Sequence, residues 1–356
     1  MKLFLAGDVM TGRGIDQILP APCDPALDEP WVKNALDYVR LAENASGAIP
    51  RGAPPAYIWG DALAVLERER PDARIVNLET AVTLSDERAP KGINYRMSPA
   101  NAACLAAARI ECCVLANNHV LDWGAAGLEE TLATLHALGI STAGAGRDAA
   151  QAEAPARLPG NLVVFAFGMK SAGVPADWAA APDRPGVSFL SDLSSQTTNA
   201  LADRILRAKR AGDITLVSVH WGANWGYEVS HQRRSFARRL IDAGAADLVH
   251  GHSSHHPGAL EIYRDRLILY ACGDLINDYE GISGHEAFRP GLGLLFFPTL
   301  DASTGKLVEL AMVPMRTRRF RLSRPSEDDA ESLAAILRQQ SRHRIERAAD
   351  GRLVVR

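Results

Sequence analysis

Six short apolar runs, each closing on polar or glycine residues, constrain this chain more than any other feature. KLFLA, ARIVNLE, ECCVLAN, NLVVFAFG, DITLVSVHW and ADLVHG have the length and ending of buried strands. Between them lie GDALAVLERERP, AGLEETLATLHALG, SQTTNALADRILRAKRAG and SHQRRSFARRLIDAG. In these, apolar residues recur three and four positions apart, the spacing of one helical face. Further on, GALEIYRDRLILYACGD and GLGLLFFPTLDASTGKLVELAMVPM read as antiparallel strands joined by tight turns. An order that is largely βα and then β-rich predicts an α/β fold layered around sheet.

Other stretches are less regular. Residues 20–60, rich in proline, glycine and alanine, predict a long excursion between the first strand and the next helix, and residues 171–196 predict another loop. The tail PSEDDAESLAAILRQQSRHRIER, with a cap-like Ser326 and an acidic first turn, predicts a closing helix. The five arginines of MRTRRFRLSR read as a solvated strand face or as a polyanion site.

At 356 residues and 47% apolar, the chain has enough material for one large core or two ordinary ones. A net charge of −3 leaves no electrostatic footprint for nucleic acid or an anionic membrane. Five cysteines, two of them the adjacent Cys112 and Cys113, suit a reduced protein better than a disulfide framework. MKLFLAGDVM breaks its apolar run at Asp8, too early for a secretory signal. No stretch has the length to span a bilayer, so a cytoplasmic location without a membrane anchor is expected.

The chemistry lies at the strand ends. LFLAGD delivers Asp8; RIVNLE delivers Asn77 and Glu79; CCVLANNHVLDWG delivers Asn117, Asn118, His119 and Asp122; TLVSVHWG delivers His220. LVHGHSSHHPG adds His250, His252, His255 and His256, four of the chain's ten histidines. Ligands gather beyond the carboxyl ends of strands in α/β sheets. Carboxylate, carboxamide and imidazole together form a donor set for Mn, Zn, Fe or Mg. Asp8, Glu79, Asn118, His220, His252 and His255 are therefore the candidate metal ligands, with Glu79 able to bridge two ions. His119 is the candidate general acid or base, its ring oriented by Asp122 three residues on. Plainer readings are a helix-capping Asp8 and a turn histidine at 119. His250 belongs to the strand and is expected to face away from the site; His256 precedes Pro257, which restricts it to extended backbone.

In order, LFLAGDVM, NLET, INYRMSP, LANNHVLDWG, SVHWG and GHSSHHPGALEIYRDRLILYACGDLINDY resemble the successive motifs of the CapA family of capsule and poly-gamma-glutamate synthesis proteins. The likeness runs from residue 2 to about 315 as one domain, leaving 316–356 as a basic segment and closing helix packed on it. That family is similar in fold to calcineurin-like metallophosphoesterases. The resemblance implies a two-sheet sandwich flanked by helices, a four-layer αββα arrangement, with a site for one or two divalent ions. It implies metal contacts at the six residues named above and proton donation at His119. Three departures stand out: Met10 where those enzymes carry a ligand histidine, Glu79 in place of an aspartate, and GHSSH in the last motif. Asp274 stands where many family members have asparagine, to contact substrate or cap a turn. Arg96, from NYRMSP, is placed to bind a carboxylate or phosphate, or to form a surface salt bridge.

The expected activity is metal-dependent hydrolysis, with a metal-activated water, of a phosphoester or a related bond in a small molecule, peptide or polyglutamate. Alternatives are metal-assisted epimerisation of a peptide and a non-catalytic part in capsule or polyglutamate assembly. Oligomeric state has no sequence signal.

Overall fold

A computed structural model describes residues 1–355. Six strands follow the apolar runs, β1 (Leu3–Val9), β2 (Ala73–Leu78), β3 (Cys112–Val114), β5 (Leu162–Met169), β6 (Ile214–His220) and β7 (Leu248–His252), while β4 (Ser141–Ala143) lies outside them. The β-rich part supplies β8 (Leu260–Tyr263), β9 (Arg266–Leu269), β10 (Asp274–Ile276), β11 (Leu292–Leu300), β12 (Leu307–Arg318), β13 (Ile345–Arg347) and β14 (Leu353–Val355). The principal helices are α1 (Leu36–Ser46), α2 (Ala62–Glu69), α3 (Gly124–Ala137), α4 (Ser195–Ala208), α5 (His231–Asp242) and α6 (Glu327–Gln340).

Two large sheets result. The first runs β13-β14-β12-β11-β1-β2-β3-β4, with β10 also paired to β1. The second runs β5-β6-β7-β9-β8, with two short strands added beside β5. Strands β1 to β4 are mutually parallel, as are β5, β6, β7 and β9, so each sheet gathers its strand ends along one edge. The hairpins β8–β9 and β11–β12 are antiparallel, as their tight-turn spacing predicts.

Alternation along the second sheet separates two cores. Val164, Leu216 and Leu248 point into the main core with Leu3, Leu5 and Ile75 of the first sheet. Val163, Phe165, Val217 and Val249 point the other way, under Leu201 and Ile205 of α4 and Phe236 and Leu240 of α5. Parallel strands buried on both faces need such continuous apolar runs, whose alternate residues serve different cores. Each fully buried side chain of this size contributes about 1.5–3 kcal/mol. Helix α3 packs Leu128, Leu132 and Leu135 into the main core near β4, and α2 adds Val65 and Leu66. The architecture is an α/β sandwich of facing sheets flanked by helices.

Two expectations are corrected. The excursion at 20–60 contains helix α1, whose Tyr38, Val39 and Ala42 are buried at helical spacing. Its flanking prolines and glycines mask that face in the composition. The boundary drawn at 315 falls inside β12, and β14 pairs with β12 while Leu333, Ala334 and Leu337 of α6 enter the main core. The C-terminal segment thus completes the first sheet. Ser326 caps α6 by accepting from the Asp329 amide, and the five arginines from 316 to 324 are exposed, as a solvated strand face requires. All five cysteines are buried and unpaired. Among the described residues, no helix is long and apolar enough to cross a membrane.

Candidate functional site

The two sheets bring different donors to a shared edge. In the first, Asp8 at the end of β1 stands in register with Asn77 of β2 and Asp274 of β10. In the second, His220 closes β6 opposite His252, which closes β7 and so belongs to a strand end, not to the following loop. His252 Nδ1 lies 3.8 Å from Asp8 Oδ1 and 2.8 Å from His220 Nδ1. His220 Nε2 in turn lies 2.8 Å from Asn118 Oδ1. Glu79 Oε1 is 3.8 Å from both His220 Nε2 and His119 Nε2. Five segments distant along the chain therefore meet in one buried hollow.

The supports around these donors are as specific as the donors. Asn77 Nδ2 donates to Asp8 Oδ1 at 2.7 Å, and the Ser253 amide donates to Asp8 Oδ2 at 3.1 Å. Ser253 adopts φ +104°, an unfavourable backbone for a residue with a side chain, which presents that amide to Asp8. Ser218 Oγ lies 2.8 Å from His252 Nε2 and 3.1 Å from His250 Nδ1. His250 Nε2 faces the Ala6 carbonyl oxygen at 2.8 Å, so this histidine ties the sheets together instead of entering the hollow. His119 Nδ1 sits 2.6 Å from Asp122 Oδ2, which turns Nε2 toward Glu79. Lys91 pairs with Asp122 Oδ1 at 2.6 Å and also donates to the Asn118 carbonyl.

Asp274 occupies a position that its sequence context left open. His255 Nδ1 lies 3.0 Å from Asp274 Oδ1, and Asn277 Nδ2 donates to Asp274 Oδ2 at 2.8 Å. Two sets of donor atoms lie within 4.8 Å of one another: Asp8, His220 and His252 in one, Asp8, His255 and Asp274 in the other. Asp8 belongs to both. A carboxylate thus reaches the hollow from β10, in a chain that carries Met10 where a ligand histidine was expected. Close approach of β10 to β1 is possible because residue 7 is glycine; a Cβ there would lie 1.9 Å from the Gly273 carbonyl oxygen. His256 turns away to accept from the Gly226 amide and stack on Phe288.

Burial acts oppositely on the two kinds of donor. Desolvation, followed by repulsion from Asp274, pushes Asp8 up to about 7. Desolvation and repulsion from Asp8 raise Glu79 well above the usual carboxylate range. Desolvation lowers His220 and His252 well below the ordinary imidazole value. Burial and then Lys91 bring His119 down to about 4 against the pull of Asp122. Burial also opposes the charged form of His255, yet Asp274 raises it overall. Crowded buried carboxylates beside neutral imidazoles fit a divalent cation, which stabilises the anions and accepts nitrogen lone pairs.

Arg96 does not join the cluster. Its guanidinium lies over the Trp123 ring at 3.9 Å and donates to the Ser85 carbonyl and to exposed Asp86. It lines a surface cleft of about 730 Å³, the salt-bridging alternative for this residue. Short strand pairing to residues 81–82 fixes that orientation. Residues that sequence reasoning missed include Lys91, Ser253, Tyr95 and Tyr279. The Tyr95 ring meets the His119 ring edge-on at 4.6 Å, and Tyr279 meets His255 at 5.2 Å. Tyr95 and Tyr279 lay in quoted motifs, and the second glycine-aspartate pair, at 273–274, echoes the one at 7–8. Lys91 had no sequence signal.

The profile of the family described as bacterial capsule synthesis protein PGA_cap matches residues 2–279. A probable polyglutamine synthesis accessory protein of Mycobacterium tuberculosis is 47% identical over 348 residues, covering 96% of this chain and 91% of the relative. The PGA biosynthesis protein CapA of Bacillus subtilis is 26% identical over 78% of this chain and 63% of its own length. The capsule biosynthesis protein CapA of Bacillus anthracis is 27% identical over 57% of this chain and 49% of its own. With its motifs in order and its donors gathered at one sheet edge, the chain belongs to the bacterial capsule synthesis protein family PGA_cap, the CapA family.

Proposed function

We propose that this protein is a metal-dependent hydrolase-like enzyme serving capsule or polyglutamate synthesis, acting on an acidic glutamyl amide chain. One observation carries the reading: two buried donor triplets share Asp8 where the sheets meet. Asp8, Glu79, Asn118, His220 and His252 would hold one divalent ion, and Asp8, His255 and Asp274 a second. Bound there, Mn, Zn, Fe or Mg supplies Lewis-acid polarisation and a more acidic water. The chain's own part is positional. Ser218 orients His252, Asn77 and the Ser253 amide hold Asp8, and Asp122 fixes the His119 tautomer so that Nε2 faces the hollow to move a proton. The link to a glutamyl chain is drawn from the relatives, which are named for PGA biosynthesis and polyglutamine synthesis.

The test pairs metal content with turnover. Protein purified without chelator should carry divalent metal and cleave oligo-gamma-glutamate, with cleavage abolished by chelator and restored by the metal. Failure to bind any of the four ions sinks the metal centre. Deuterium uptake by the peptide without cleavage would replace hydrolysis with proton exchange at the α-carbon.

A further inference from the structure

Tyr95 of INYRMSP and Tyr279 of LINDY are left without a role by the donor cluster, and the structure brings them together. Tyr95 Oη and Tyr279 Oη lie 3.3 Å apart, one able to donate to the other. Their rings stand against His119 and His255 respectively, so the hydroxyl pair bridges the two histidines flanking the hollow.

Neither phenol oxygen has another hydrogen-bond partner among the described residues. Two hydroxyls with a single mutual hydrogen bond leave one proton uncommitted. The pair is part-buried, and the spare proton, on half-buried Tyr279, is open to a ligand or to water. The neighbouring cation is itself a donor, with most of its N–H groups committed inside the protein. Arg13 lies 4.2 Å from the Tyr95 ring centre and 3.9 Å from that of Tyr38. Its guanidinium donates to both oxygens of Asp278, to Glu29 and to Tyr38 Oη. Four of its five N–H donors are thus committed within the protein, while the cation favours electron density on the phenols beside it. Arg13 thus holds the tyrosines in place and leaves the hydroxyl pair to meet a ligand.

We propose that the Tyr95–Tyr279 pair is the substrate-oxygen donor of this site, giving its spare proton to an oxyanion oxygen, carboxylate or phosphate, held between His119 and His255. This rests on reading the hollow as an active site. Hydrogen bonds to charged groups contribute enough that losing one weakens binding roughly 10-fold.

The full-length chain, with Mn²⁺ present, is titrated calorimetrically with inorganic phosphate and separately with a gamma-glutamyl dipeptide. Metal content and melting temperature are measured on the same samples. Tyr279→Phe should weaken the tighter of the two ligands about 10-fold and Tyr95→Phe by less, with metal content and melting unchanged. The tighter ligand identifies the oxyanion. Tyr38→Phe, whose hydroxyl serves Glu29 and Arg13, should leave both affinities intact. Equal affinities in Tyr279→Phe and the unsubstituted chain, or no binding of either ligand by the unsubstituted chain, overturn the proposal. A chain that binds no metal yet loses oxyanion affinity on Tyr279→Phe removes the metal centre and keeps the donor pair.

Discussion

The first sheet meets the second as oxygen meets nitrogen. Strands β1, β2 and β10 and the turn after β3 bring Asp8, Glu79, Asp274 and Asn118; β6, β7 and the turn after β7 bring His220, His252 and His255. The same burial pushes Asp8 and Glu79 toward protonation and strips His220 and His252 of charge. Neither half explains itself alone. A buried trio of carboxylates costs stability, and a buried imidazole pair with nitrogens 2.8 Å apart must share a proton or a ligand. Together they gather oxygen and nitrogen donors from separate sheets within 4.8 Å of one another, the arrangement on which the proposed cation site rests.

Asp8→Ala breaks this comparison most severely, because Asp8 belongs to both donor triplets. Metal affinity should fall at least about 100-fold, read by competition with a metallochromic dye; retention of full affinity would remove the oxygen half. His119→Ala should leave metal content intact while turnover falls about 100-fold or more. Equal loss of metal would make His119 a ligand instead. Asp274→Asn keeps shape but removes charge from the His255 side. It should weaken metal about 10-fold on that side and spare the His220–His252 side, halving stoichiometry at limiting metal if two ions bind. Arg96→Ala should change least: metal binding intact, and melting lowered by only a few degrees through lost contact with Trp123.

Much of this was legible because strands announce their ends. Asp8, Glu79, Asn118, His119, His220 and the histidine run each follow an apolar run, and that places them on one edge once the strands are parallel. Asp122 beside His119 followed from turn spacing, and the contact is present at 2.6 Å. Arg96 shows the limit. Its neighbourhood in sequence put it near the site, but pairing of residues 96–97 with 81–82 and the Trp123 ring drew its guanidinium elsewhere. Helix α1 was hidden by composition, although Tyr38, Val39 and Ala42 carried its face.

Local sequence determined which residues end strands, where helices begin, and which donor types are available, since each depends on neighbours a few positions away. Only the tertiary structure decided that β10 carries Asp274 beside Asp8. It also decided that Tyr95 and Tyr279 share a hydrogen bond. Those outcomes depend on sheet packing and register across as many as 266 positions, the Asp8–Asp274 pairing, and the periodicity of one strand holds no record of its distant partner.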